Sequence, residues 1–125
     1  IVEKSVEVLN EKKKPISRSK ILIMGVAYKK DIDDVRETPA LGIIEMLKSQ
    51  GSEVIYHDPY IAEFQCSYGK IKSKQITKKL LNSVDLVIVV TDHTQINYEF
   101  IKKNSKCILD ARGVYEILPN KIYRG

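Results

Sequence analysis

Cysteine is scarce: Cys66 and Cys107 are the only two in 125 residues. They stand far apart and match no zinc-ligand spacing, and they make no disulfide framework. A reducing, cytoplasmic setting is the default for such a chain. Long apolar runs are missing too. None approaches the about 18 residues needed to cross a bilayer, so no membrane span is expected. The opening Ile1-Val2-Glu3-Lys4 has no basic stretch leading into an apolar one, as a signal peptide would. The chain does not start with Met, which fits a piece of a longer protein. No aromatic residue interleaves with the lysine clusters Lys12-Lys13-Lys14 and Lys70 to Lys79, as a single-strand nucleic-acid platform requires.

What is present is a globular composition. Hydrophobic residues make up 43% and charged residues 30%, enough apolar side chain for one packed domain. The net charge is +5. That excess fits an anionic ligand, a nucleic acid or simply a lysine-rich surface. The wide spread of the lysines favours the plain surface as the starting point, and no nucleic-acid partner is expected.

Residues 1–12 (IVEKSVEVLNEK) place Ile1, Val2, Val6 and Leu9 on roughly one helical face, ended by Lys12 to Lys14 and Pro15. Residues 20–27 (KILIMGVA) read as a strand covered on both faces. A charged loop from Tyr28 to Glu37 follows. Thr38 as N-cap and Pro39 as first residue then open a helix to about Gln50, with a stripe of Leu41, Ile44 and Leu47 and a stop at Gly51. Residues 53–57 (EVIYH) are a second strand, residues 60–72 read as irregular, and Lys74 to Leu81 as a short helix capped by Ser73. Residues 84–90 (VDLVIVV) give a third strand, Asn97 to Lys103 a helix, and residues 106–109 (KCIL) a fourth strand. Strands alternating with helices predict an α/β fold: a Rossmann-like, doubly wound, mainly parallel sheet with helices on both faces.

In such sheets ligands bind beyond the carboxyl ends of the strands. The polar punctuation falls there: Tyr28-Lys29-Lys30-Asp31, His57-Asp58-Pro59, Thr91-Asp92-His93 and Asp110-Ala111-Arg112. Lys29 and Arg112 put cations on that rim, the helix opening at Thr38-Pro39 offers free N–H groups, and Tyr28 has a ring for a base or sugar. A diphosphate suits that set, although the same lysines also suit a solvated loop paired with Asp31, Asp33 and Asp34. After the first strand stands Gly25-Val26-Ala27-Tyr28-Lys29-Lys30, not G-x-G-x-x-G, so dinucleotide binding is not supported in this chain. The run Asp31-Ile32-Asp33-Asp34 is weighed against Mg²⁺ and set aside, because adjacent lysines oppose a cation. Pairing of Asp33 or Asp34 with Arg36 is expected instead, with Glu37 answering the helix N-terminus. His57 and His93 close strands and read either as base or ligand contact or as satisfied turn residues. Cys107 reads as core, and Cys66 has no base beside it.

The run from Gly25 to Ala40 (GVAYKKDIDDVRETPA) resembles the start of the C-terminal domain of the UDP-glucose/GDP-mannose dehydrogenase family. Gly51 to Tyr60 (GSEVIYHDPY), Val87 to His93 (VIVVTDH), Asp110 to Gly113 and Leu9-Asn10 extend the resemblance over nearly the whole chain. It implies that residues 1–14 end a central helical region or linker and that residues 15–125 form the UDP-sugar-binding domain. It implies an enzyme that oxidises C6 of a nucleotide sugar from alcohol to carboxylate with NAD⁺, through a cysteine thiohemiacetal, supplying a uronic acid for a surface polysaccharide or glycan. NAD and that cysteine would lie outside this chain, leaving no catalytic residue, cofactor site or metal site here. By resemblance Tyr28, Lys29 and Arg112 contact the nucleotide sugar. The Tyr-Lys-Lys loop and the Thr91-Asp92-His93 turn look more like UDP-N-acetylhexosamine dehydrogenases. The expected partners are a UDP-sugar, the rest of the same chain and further copies in a dimer or higher oligomer. A competing reading is a non-enzymatic receiver-like or nucleotide-sensing module centred on Asp92.

Overall fold

The computed structural model describes residues 1–125. Its centre is β1 (Lys20–Met24), whose Ile21 to Met24 are fully buried. The alternation of side chains along a strand sends these residues to two different cores. Ile21 and Ile23 feed one, while Leu22 and Met24 feed the other. A continuous apolar run is what a strand covered on both faces needs.

The sheet has five strands in the order β2-β1-β5-β6-β7, all parallel: β2 (Glu53–His57), β5 (Leu86–Val89), β6 (Ile108–Asp110) and β7 (Ile122–Arg124) flank β1. One face carries α1 (Val2–Glu11) and α2 (Pro39–Ser49), with Val8, Leu9, Ala40, Ile44 and Leu47 in its core. The other carries α3 (Lys78–Ser83) and α4 (Tyr98–Asn104), with Leu81 and Ile101 buried against Val87, Val89 and Ile108. The fold is therefore the Rossmann-like, doubly wound arrangement read from the sequence.

The chain starts α2 as its sequence dictates. Thr38 Oγ1 accepts from Ala40 N–H at 3.2 Å, and Pro39 stands at the first helical position. Gly51 leaves the helix with φ +93, which a residue with a Cβ adopts only with strain. Asn97 caps α4 through Phe100 N–H.

Several expectations are corrected. The first strand stops at Met24, because Gly25 turns off the sheet with φ +86. The third is confined to Leu86–Val89 and the fourth is displaced to Ile108–Asp110. Of the expected α1 face, Leu9 is in the core and Val2 packs against it, but Ile1 is exposed and Ser5 and Val8 take the other buried places. The segment read as irregular holds a hairpin of β3 (Glu63–Cys66) and β4 (Gly69–Lys72), turned at Ser67-Tyr68. Its residues alternate polar and apolar, with Phe64 and Cys66 inward, and alternation this short is hidden among lysines. Helix α3 begins at Lys78 under a Thr77 cap, and the Ser73 hydroxyl instead accepts from Asp58 N–H at 2.9 Å. The last strand, β7, lies in a mixed run (KIYRG) with no apolar stretch to announce it.

Candidate functional site

The chain leaves β1 toward β2 on one side, then returns to β5 on the other. The loops after β1 and β5 therefore border a crevice at the carboxyl edge of the sheet. They pack tightly there: a Cβ on Gly25 would lie 2.3 Å from the Thr91 carbonyl oxygen. Thr91 Oγ1 also donates to the Ala27 carbonyl at 2.7 Å.

Asp58, at the end of β2, organises the rim. Its Oδ2 accepts from Val26 N–H at 2.8 Å, from Ala27 N–H at 3.0 Å and from His93 Nε2 at 2.8 Å. Its Oδ1 accepts from Tyr60 N–H at 2.8 Å. The other ring nitrogen of His93, Nδ1, accepts from Asp31 N–H at 2.8 Å. Both the Asp58 and His93 side chains are 0% exposed. Asp31 takes a left-handed φ of 62 and wraps its carboxylate around Thr94, accepting from Thr94 N–H at 2.7 Å and from its hydroxyl. Those hydrogen bonds lower the Asp31 carboxyl below the ordinary aspartate value.

Between these fixed points the loop presents Tyr28, Lys29 and Lys30 to solvent; Tyr28 is 51% exposed. Tyr28 N–H donates to the Asp34 carbonyl at 2.6 Å. The expected brace is present: Asp34 accepts from Arg36 Nη2 at 2.8 Å and from Nε at 3.0 Å. Arg36 holds the Asp34 carboxyl down to about 2. Two of the three carboxylates weighed as cation ligands are thus held by Thr94 and Arg36. Glu37 takes a left-handed φ of 59 ahead of the Thr38 cap.

Arg112 rises from the end of β6. Asp110, wholly buried, accepts from Arg112 N–H at 3.0 Å, Gly113 N–H at 2.9 Å and Tyr115 N–H at 2.8 Å, and so shapes the turn that presents it. Its guanidinium stays half-exposed, with Nε 3.3 Å from Asp92 Oδ1. Asp92, the centre of the competing reading, is held in that pair. β1 and β6 are separated by β5 alone, so the two cationic loops start roughly 10 Å apart on one edge. Tyr28, Lys29 and Arg112 are thus brought to the same rim. Open clefts lie between α2 and the start of α1 and beside Phe100, Lys102 and Leu118.

His93 is a buried structural contact, not a solvent-facing base. His57 pairs Nδ1 with the Lys74 carbonyl at 2.7 Å, as a turn residue does. Cys107 is core as expected, its thiol pushed up by burial to about 11, and Cys66 is buried too. The roles of Asp58, Asp110 and Thr94 were not read from the sequence. The one available signal was an Asp at the tip of two strands, followed at Asp58 by proline, where a short carboxylate can cap neighbouring main-chain N–H groups.

The sequence profile of the UDP-glucose/GDP-mannose dehydrogenase family, UDP binding domain, matches residues 22–117. A UDP-N-acetyl-D-mannosamine dehydrogenase of Pyrococcus horikoshii is 31% identical over 115 residues, 87% of this chain and 25% of that protein. A solved UDP-D-ManNAc dehydrogenase of the same organism superposes with TM-score 0.74 at 28% identity, over 95% of this chain and 28% of that one. An NDP-N-acetyl-D-galactosaminuronic acid dehydrogenase of Methanosarcina mazei Go1 gives TM-score 0.80 at 25% identity, over 98% of this chain and 27% of the other. The chain spans about a quarter of the length of the curated relatives it matches.

Proposed function

The chain belongs to the UDP-glucose/GDP-mannose dehydrogenase family, and from that premise we propose that it is the nucleotide-sugar-binding part of an NAD-dependent UDP-sugar 6-dehydrogenase. The observation that carries this is the rim: Tyr28 and Lys29 on a loop fixed at both ends, with Arg112 on the same edge. Lys29 and Arg112 meet the diphosphate, where each charge-assisted hydrogen bond contributes about 1.5–3 kcal/mol. Tyr28 lays its ring along the base or sugar. The relatives named for UDP-N-acetyl-D-mannosamine favour an N-acetylhexosamine as the sugar.

The residues present do not fit NAD. Gly25 is the single glycine of the β1 loop, the space over it is filled by Thr91, and the Thr38 hydroxyl already takes one first-turn N–H of α2, that of Ala40. NAD, the thiohemiacetal cysteine and the two oxidations at C6 are assigned to the rest of the whole protein. On this reading residues 1–14 are the end of the preceding helical region or linker, and the whole enzyme is a cytoplasmic oligomer. No helix is long and apolar enough to cross a membrane.

The test is steady-state kinetics on the whole protein. Lys29→Ala and Arg112→Ala should each raise KM for the UDP-sugar about tenfold or more, equivalent to about 1.4 kcal/mol, with KM for NAD⁺ nearly unchanged. Unaltered nucleotide-sugar kinetics in both variants would overturn the site.

A further inference from the structure

The main chain of the loop that carries Tyr28 and Lys29 is held at both ends by one buried pair, while Thr94 holds the Asp31 carboxylate. Asp58 holds its near end by Val26 and Ala27 N–H, and His93 holds its far end by Asp31 N–H. The two are joined at 2.8 Å between His93 Nε2 and Asp58 Oδ2. Only Tyr28, Lys29 and Lys30 lie between the tethered residues. A three-residue crest between fixed ends has little freedom to choose its own place.

We infer that Asp58 and His93 are positioning residues that set the affinity for the nucleotide sugar by fixing the crest. This rests on the reading of the crest as the nucleotide-sugar contact. Neither side chain reaches solvent, so neither touches the ligand. The tautomer follows from the partners. A main-chain N–H only donates, so Nδ1 is the acceptor and the ring proton sits on Nε2, aimed at the Asp58 carboxylate. The neutral ring is thus a strut with a donor at one end and an acceptor at the other. The charged and titratable groups around the ring are Asp58 at 2.8 Å from the β2 end and Asp31 at 3.9 Å from the loop itself, with Lys30 beside Asp31. The Tyr60 ring packs at 4.8 Å from the β2–β3 connection, and the Tyr98 hydroxyl at the start of α4 donates to the His93 carbonyl at 2.7 Å.

The experiment uses the whole protein and calorimetry with UDP-N-acetyl-D-mannosamine. Three variants separate the two ends of the strut. His93→Asn keeps an acceptor where Nδ1 stands, His93→Gln keeps a donor near Nε2, and His93→Phe keeps neither. Affinity should fall about tenfold or more in His93→Gln and His93→Phe, equivalent to about 1.4 kcal/mol, and less in His93→Asn. Exchange of the Asp31 amide with solvent, read by NMR, should be slow in wild type and His93→Asn and fast in the other two. Equal affinity in all four proteins overturns the inference. So does an affinity loss that merely follows the loss of thermal stability in all three variants. If wild type binds no nucleotide sugar at any pH, the proposed function fails, while the Asp31 exchange rates still decide whether the strut exists.

Discussion

Gly25 has φ +86, and Thr91 occupies the place a side chain would take. A left-handed residue with a Cβ costs about 1–2 kcal/mol in backbone strain, and displacing packed main chain adds about 1–3 kcal/mol. Gly25→Ala should therefore lower stability by more than about 2 kcal/mol, read from urea unfolding. Gly42→Ala is the control. It sits within α2 with nothing near its missing Cβ, so it should be neutral or slightly stabilising. Cys107 shows the same logic with charge. Desolvation raises its thiol to about 11, while an unfolded thiol titrates near ~8.5. The folded state disfavours the thiolate, so this stabilising contribution is complete below about pH 8.5 and is lost as pH rises toward 11. Over that interval the urea midpoint of wild type should fall more steeply than that of Cys107→Ala. Parallel slopes would show that the thiol titrates alike in both states.

Among the elements, the β3–β4 hairpin is held at both ends. At its base Phe64 meets Tyr56 edge-on, with ring centres 5.2 Å apart, and the Tyr56 hydroxyl donates to the Ile61 carbonyl. At its tip Glu45 of α2 accepts from Ser67 N–H and hydroxyl, and Lys48 stands over the Tyr68 ring. The base is buried and the tip is wet, so the base carries the energy. Phe64→Ala should cost about 3 kcal/mol in urea unfolding, whereas Ser67→Ala should cost well under about 1 kcal/mol. Comparable losses would place the anchor at the tip. The two helix starts that were legible, Thr38 and Asn97, were legible because a capping side chain acts within its own first turn. Ser73 looked like such a cap, yet a long-range partner, Asp58, took its hydroxyl; local spacing carries no trace of that contact.

Over the whole molecule, the central strands and the rim could be read from the chain because both follow from local pattern. Apolar runs mark strands buried on two faces, and polar residues gather where those strands end. What lay hidden was decided across the fold. Asp58 and His93 stand 35 positions apart, and only the parallel order of β2, β1 and β5 brings them under one loop. β7 was hidden likewise, since Ile122–Arg124 is an edge strand whose neighbour, β6, specifies it more than its own composition does.

The anchors of the β1 loop grip peptide N–H groups, which every residue type except proline provides. Such a fixture is indifferent to the identity of what it displays. On the function proposed above, the chain can exchange Tyr28, Lys29 or Lys30 and retune the choice of guest while the foundation beneath stays as it was.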